Sequence, residues 1–344
     1  MDKDNIIISS LFKHVKGICV TNLNLSIVVP CYNEEESLVE LHRRVTETCL
    51  RYFGHSYELI LVNDGSKDDT WKMMVALSEN DTNLVAVNLS RNHGHQLALS
   101  AGLQISRGER VFMLDADLQD PPELLPKMMA RMDCGFDVIY GKRIKRQGES
   151  AFKKTTAYAF YRLLNRIVEI EIPQDTGDFR LMSRKAVNIL NSMPEHYRFI
   201  RGMVSWIGMR QEAFCYERDK RFAGDTKYPL VKMLRFATDA ITGFSTGPLR
   251  FASYLGFCFG FATLILMLYV FIQYLNGNNI EGWTSLAIII LSLGTVQLFV
   301  AGVMGEYLGR LYIQSKQRPM FVIQEIVCSE GLSKNTTRTA GKIS

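Results

Sequence analysis

The sequence holds no Cys-x-x-Cys pair. Its seven cysteines stand singly at 19, 31, 49, 134, 215, 258 and 328, so neither a zinc site nor a dithiol redox motif is supported. An odd number of dispersed thiols fits a reducing compartment. A GxGxxG fingerprint is also missing, and the dinucleotide fold that depends on it loses its support. Charge of one sign is not in large excess. The 40 Lys and Arg against 35 Asp and Glu leave a net +5, too modest to point to nucleic acid. Nor is a secretory signal expected, because Lys13, His14 and Lys16 break the apolar run Asn5–Val20 and no small-residue cleavage site follows. Residues 1–24 read as a loosely attached extension.

Charge is scarcest where apolar residues are densest. Of the 344 residues 47% are hydrophobic, and the excess collects in Phe251–Leu275 and Trp283–Leu308. The first run has no charged residue and the second has only Glu306. Each is long enough to cross a hydrocarbon core of ~30 Å at about 1.5 Å per residue. Soluble helical hairpins are seldom apolar all round, so two transmembrane helices are expected. Arg250 precedes the first run, and Arg310, Lys316 and Arg318 follow or close the second. Positive residues on that side place both hairpin ends, the hydrophilic part before them and both termini in the cytoplasm. Gly256-x-x-x-Gly260 and Gly305-x-x-x-Gly309 would permit close helix approach, either within one chain or in a homo-oligomer.

Residues 25 to about 145 alternate between two periods. Short apolar, β-branched runs at 25–30, 58–63, 84–89, 110–114 and 137–140 are separated by helical spacing at 35–52, 69–80, 96–105 and 123–132. That alternation predicts an α/β domain with a parallel sheet flanked by helices. Polar clusters follow the strands at Pro30-Cys-Tyr-Asn-Glu34, Asp64-Gly-Ser-Lys-Asp68, Ser90-Arg-Asn-His-Gly94 and Asp115-Ala-Asp117-Leu-Gln119. Strand ends on one rim are where open α/β sheets bind ligands.

Asp115 and Asp117, with the Gln119 amide oxygen, suit a hard divalent cation that keeps positions free for phosphate oxygens. Taken alone, the same stretch also fits a solvated acidic turn. Asp64 is suited to accept a hydrogen bond from a ring N–H of uracil or guanine. It equally fits an ordinary strand-to-helix turn with an Asp or Ser cap. Asn92-His-Gly94 opens a helix whose free N–H groups favour a diphosphate. His93 and His95 read as loop or cap residues, because no partner spacing marks them as metal ligands.

These motifs resemble the inverting family 2 glycosyltransferases of the GT-A (Rossmann-like) fold, in the branch that acts on polyprenyl phosphates. The resemblance rests on Val29-Pro-Cys-Tyr-Asn-Glu34, Asp64-Gly-Ser66, Arg91-Asn-His-Gly94, Asp115-Ala-Asp-Leu-Gln119, Gly177-Asp-Phe-Arg180, Arg221-Phe-Ala-Gly-Asp-Thr-Lys227 and the terminal hairpin. It implies that Pro30, Tyr32, Glu34 and Asp64 hold the nucleoside, with Gly94 and Asp115 near the ribose and diphosphate. It implies Mg2+ or Mn2+ on Asp115, Asp117 and Gln119, and Asp178 as the catalytic carboxylate. The Gln-x-x-Arg-Trp motif of processive synthases is replaced by Arg198-Phe-Ile-Arg-Gly-Met-Val-Ser-Trp206, which favours transfer of a single sugar.

A polyprenyl phosphate already carries about −1.5 to −2 charges at pH 7, so it needs little deprotonation to attack a sugar C1. Asp178 then either orients the acceptor, stabilises charge at the anomeric carbon, or simply pairs with Arg180. Arg221 and Lys227 are suited to clamp phosphates, or else form a juxtamembrane basic patch. Segments 151–170 and 229–244 mix apolar and basic residues in the manner of interfacial helices, or else of core helices with a solvated basic face. The expected organisation is an extension over 1–24 and a cytoplasmic glycosyltransferase domain over 25–228. A juxtamembrane region over 229–248, two spans within 249–312 and a cytoplasmic tail over 313–344 complete it. The expected reaction is inverting transfer of glucose from UDP-glucose to polyprenyl phosphate at the bilayer. The alternatives are another donor, such as GDP-mannose or a UDP-amino sugar, and a non-catalytic nucleotide-binding scaffold.

Overall fold

A computed structural model of the chain describes residues 23–144, 176–218, 245–276 and 282–329. Arg221, Lys227, the segments 151–170 and 229–244 and the extension before residue 23 lie outside the described residues.

Strand β1 (Leu25–Cys31) is apolar on both faces and lies at the centre of the sheet. Leu25, Ile27, Val29 and Cys31 enter one core layer while Val28 enters the other. Strands β2 (Tyr57–Asn63), β3 (Leu84–Leu89) and β4 (Arg110–Met113) run parallel to it. The intervening helices are α1 (Leu38–Phe53), α2 (Thr70–Asn80) and α3 (His95–Ile105). In α1 the buried Leu38, Leu41, Val45 and Cys49 recur at helical spacing and form a stripe against the sheet. Gly102 lets α3 lie against the sheet: a Cβ there would come 2.3 Å from Val28 Cγ1.

The parallel expectation is corrected in part, because the eight-stranded sheet is mixed. Its order is β7-β5-β6-β4-β1-β2-β3-β8. After α4 (Leu125–Met132), strand β5 (Val138–Arg143) does not pair with β4. Strand β6 (Thr176–Ser183) inserts between them, antiparallel to both. Ser183 caps the next helix, α5 (Arg184–Ser192), by accepting the Ala186 N–H. Helix α6 (Ile200–Ile207) and strand β7 (Gln211–Tyr216) follow, β7 lying parallel to β5.

Beyond them lie the long helices α7 (Gly247–Leu275) and α8 (Trp283–Ser315). They are tied where Tyr307 Oη of α8 donates to the Ser245 carbonyl, just before α7, at 2.6 Å. Phe251 and Phe299 meet edge to face at 6.4 Å between ring centres. Among the described residues one helix, over Gly247–Gln273, is long and apolar enough to cross a membrane, with mean hydropathy 2.4. The GxxxG glycines do not mediate the α7–α8 contact, since a side chain added at Gly256, Gly260, Gly305 or Gly309 would enter open space. The tail expected after residue 313 contributes an eighth strand, β8 (Ile323–Cys328), antiparallel to β3.

Candidate active site

The parallel strands end on one rim, and the loops after β1, β2 and β3 are laced together there. Asn33 takes a left-handed φ of 55°, which turns the chain so that its N–H reaches Ser66 Oγ at 3.0 Å. Its side-chain oxygen accepts the Lys67 N–H at 2.8 Å, and the Glu34 N–H donates to Thr70 Oγ1 at 2.9 Å. Pro30, Tyr32 and Glu34 therefore share a rigid edge with the Asp64–Ser66 turn. The Tyr32 ring stays 40% exposed at that edge, open to stack on a planar ligand.

Asp64 is buried, and its two carboxylate oxygens accept the His93 and Gly94 N–H groups at 2.7 and 2.9 Å. Burial raises its pKa, and the two backbone donors offset that rise only in part. It thereby fastens the loop that opens α3. Gly65 makes this possible: at φ 64° it lies so close to that loop that a Cβ would come within 2.5 Å of the Asn92 nitrogen. The Gly94 N–H is thus committed to Asp64, and the Leu97 and Ala98 N–H groups both donate to the Gly94 carbonyl at 3.0 Å.

After β4 the chain passes through Asp115 and Asp117, then reverses at Leu118, which is buried with φ 56°. A non-glycine residue held in this region is strained and persists because packing holds it. The Gln119 N–H closes the turn on Asp117 Oδ1 at 3.2 Å. The next carboxylate, Asp120, is fully buried and accepts from Tyr216 Oη at 2.5 Å, Arg218 Nε at 3.2 Å and Arg143 Nη2 at 3.4 Å. Burial and the Asp120 charge raise the Tyr216 pKa, so its proton stays on the phenol. Arg218 also lies 3.8 Å from Asp117 Oδ2.

Asp178 comes from β6, 4% exposed. Its carboxylate accepts from Arg201 Nε and Nη2 at 3.0 and 3.3 Å and from Gln96 Nε2 at 2.9 Å. His95 Nε2 lies between two acids, 3.2 Å from Asp178 and 3.4 Å from Asp115. Burial opposes a charged imidazole, yet these two carboxylates outweigh it and raise the His95 pKa to about 9. Burial alone would raise Asp178 as well, but Arg201 and His95 hold it well below the usual carboxylate range. Asp115 moves upward, burial being the main cause.

The structure thus joins Asp64 to Gly94, and Asp115 to Asp178 through His95. The sequence did not single out Gln96, Arg201 or Asp120, and it offered His95 only as a loop or cap residue. His95 is neither a plain cap nor isolated, and the partner of Asp178 is Arg201 rather than the neighbouring Arg180. Arg180 is buried, gives Nη2 to the Gly177 carbonyl at 3.1 Å and has its pKa lowered by burial to about 10. Among the described residues no three His, Cys, Asp or Glu side chains form a self-sufficient metal cage.

The glycosyl transferase family 2 profile matches residues 26–190. An uncharacterized glycosyltransferase of Bacillus subtilis, YkcC, is 44% identical over 305 residues, spanning 88% of this chain and 94% of its own. The bactoprenol glucosyl transferase of Shigella phage SfV is 38% identical over 303 residues, spanning 88% of this chain and 98% of its own. Glucosyl-3-phosphoglycerate synthase from Mycobacterium tuberculosis, crystallised with Mn2+, uridine-diphosphate-glucose and phosphoglyceric acid, is 17% identical with a TM-score of 0.41. It covers 64% of this chain and 77% of its own, a likeness too slight to carry an argument about the site. Matched over nearly the whole length of its sequence relatives, the chain belongs to glycosyl transferase family 2.

Proposed function

We propose that this chain transfers glucose from UDP-glucose to a polyprenyl phosphate, with inversion at C1, on the cytoplasmic face of a membrane. The observation that carries the reading is the 38% identity to a bactoprenol glucosyl transferase along 98% of that protein, since bactoprenol is a polyprenol. The carboxylate-lined rim agrees with it chemically.

In this reading Pro30, Tyr32, Glu34 and Asp64 form the nucleoside edge, Asp64 acting also through the α3 loop that it fastens. Gly94 caps the helix whose first N–H groups, those of His95 and Gln96, would meet the diphosphate. Asp115, Asp117 and Gln119 would hold Mg2+ or Mn2+. The donor set fits such an ion: two carboxylates and an amide oxygen are hard ligands, and a cation of this type is completed by substrate phosphates. Asp120, committed to Tyr216, Arg143 and Arg218, is left out of that set. When bound, the ion supplies Lewis-acid neutralisation of the departing nucleoside diphosphate.

An acceptor phosphate oxygen attacks C1, the bond from C1 to UDP breaks, and the configuration inverts. No proton need be removed from an acceptor that is already anionic. Asp178, ionised and saturated by Arg201, Gln96 and His95, is a fixed negative charge near the developing positive sugar rather than a proton acceptor. Arg221 and Lys227, in the basic stretch before the hairpin, would clamp phosphates.

The domain of residues 25–228, joined by β8, works in the cytoplasm. Helices α7 and α8 cross the bilayer as a two-span hairpin, with the 229–248 region at the headgroups. The test is incubation of detergent-purified protein with polyprenyl phosphate, Mg2+ and separately labelled UDP-glucose, UDP-N-acetylglucosamine and GDP-mannose. Label extracted into organic solvent from UDP-glucose alone, and lost in Asp117→Ala, supports the reading. Label from another donor replaces the sugar, and label from none across a wider panel favours a binding scaffold.

A further inference from the structure

Helix α8 is gripped by the catalytic domain at its last turn. Gln314 Nε2 donates to the Pro194 carbonyl at 2.6 Å, and Gln314 Oε1 accepts the His196 N–H at 3.1 Å. One turn earlier the Arg310 guanidinium lies over the Tyr197 ring at 4.5 Å, oriented by Glu306 at 2.9 Å. Past the helix, Met320 Sδ approaches Arg198 Nη1 at 3.8 Å, and the Ser90 N–H donates to the Val322 carbonyl at 2.9 Å before β8 joins β3. The loop 193–199 is therefore held by the segment that leaves the apolar hairpin.

That loop leads straight into the candidate active site. Arg198 is buried and donates to the carbonyls of Leu190, in the last turn of α5, and Met193, just after it, at 2.7 and 3.1 Å. The first residue of α6, Ile200, gives its N–H to Gln96 Oε1 at 3.0 Å, and Gln96 holds Asp178 with its other end. The second residue, Arg201, makes the two-point contact with Asp178. A single amide that both donates to residue 194 and accepts from residue 196 fixes the loop in position and in orientation.

We propose that Gln314 is a positioning residue: by clamping Pro194 and His196 it sets the first turn of α6 so that Arg201 meets Asp178 in working geometry. The inference rests on the proposed sugar transfer. The acceptor is anchored in the bilayer while the donor diffuses in water, so the cleft must be referenced to the hairpin. Gln314 makes that reference through Arg201.

The test uses the full chain in nanodiscs, comparing wild type with Gln314→Ala, Arg201→Lys and the double variant. Amide exchange in peptides spanning 194–204 rises about tenfold in Gln314→Ala, while β1–β4 peptides stay unchanged, as expected for local opening. The melting temperature moves by no more than about 2 °C. With UDP-glucose and undecaprenyl phosphate, kcat falls roughly tenfold at nearly constant donor KM, the mark of misplaced reacting groups. In the Arg201→Lys background, Gln314→Ala costs no more than about twofold further, because coupled residues are non-additive. Unchanged exchange in 194–204, or losses that multiply in the double variant, would overturn the clamp. Raised exchange in Gln314→Ala with no transfer by wild type would keep the clamp and remove the reaction.

Discussion

Arg201 of α6 meets Asp178 of β6 at two points, Nε to Oδ1 at 3.0 Å and Nη2 to Oδ2 at 3.3 Å. The carboxylate is almost wholly buried, and Gln96 and His95 fill its remaining acceptor positions. Such a group stays ionised and keeps one orientation. It is a poor proton acceptor and a good fixed charge, which suits an acceptor that arrives already anionic.

Removing Arg201 leaves that charge without its main partner. Arg201→Ala is expected to destabilise the protein by about 3 kcal/mol, the low end for a broken buried pair, because the arginine retains some solvent contact. Arg201→Lys keeps the charge but loses the planar fork, so it costs roughly half as much. Thermal unfolding of both variants in one detergent checks the order.

Asp120 gathers Tyr216, Arg143 and Arg218 onto one fully buried carboxylate. Asp120→Ala strands three donors and is expected to cost about 3 kcal/mol or more. Tyr216→Phe removes a single hydroxyl bond and costs about 1 kcal/mol. Denaturant melts of the two variants measure the difference.

Gly65→Ala carries two penalties, a left-handed φ of 64° and a Cβ 2.5 Å from the Asn92 nitrogen. The Asn92–Gly94 loop must shift, and the Asp64 bonds to His93 and Gly94 lengthen with it. UDP affinity by calorimetry is expected to fall roughly tenfold or more, since these strain mechanisms exceed about 1.4 kcal/mol.

The His95 contacts give stability a pH dependence of defined sign. Its pKa is raised to about 9 in the fold from about 6.5 in the unfolded chain. The contribution is therefore complete below about 6.5, declines through neutral pH and is gone above about 9. In buffer free of nucleotide and divalent ions, wild-type stability falls across that window. His95→Gln flattens the fall, and melts at stepped pH read it directly.

The acidic turn after β4 was legible in sequence because its signal is local: an apolar strand followed by two spaced acids and a glutamine. Asp178 was singled out, but its partners were not. Arg201 lies 23 residues on and Gln96 lies 82 residues back, and nothing local links them. His95 looked like a loop residue because its two acids come from separate segments, the turn after β4 and strand β6. The mixed sheet escaped the alternating pattern because β6 returns from beyond residue 175 to insert beside β4. The run Ile323–Cys328 has strand composition, yet its partner β3 lies about 240 residues earlier, across both long helices.

The central claim is that a sugar, and not a sugar phosphate, moves onto a lipid phosphate. Phosphorus NMR of the lipid product from undecaprenyl phosphate and UDP-glucose tests it most directly. The account predicts one phosphodiester resonance, with one UDP released per lipid consumed. A diphosphate pair of resonances with UMP released, or UDP released without any change at the lipid, would contradict it.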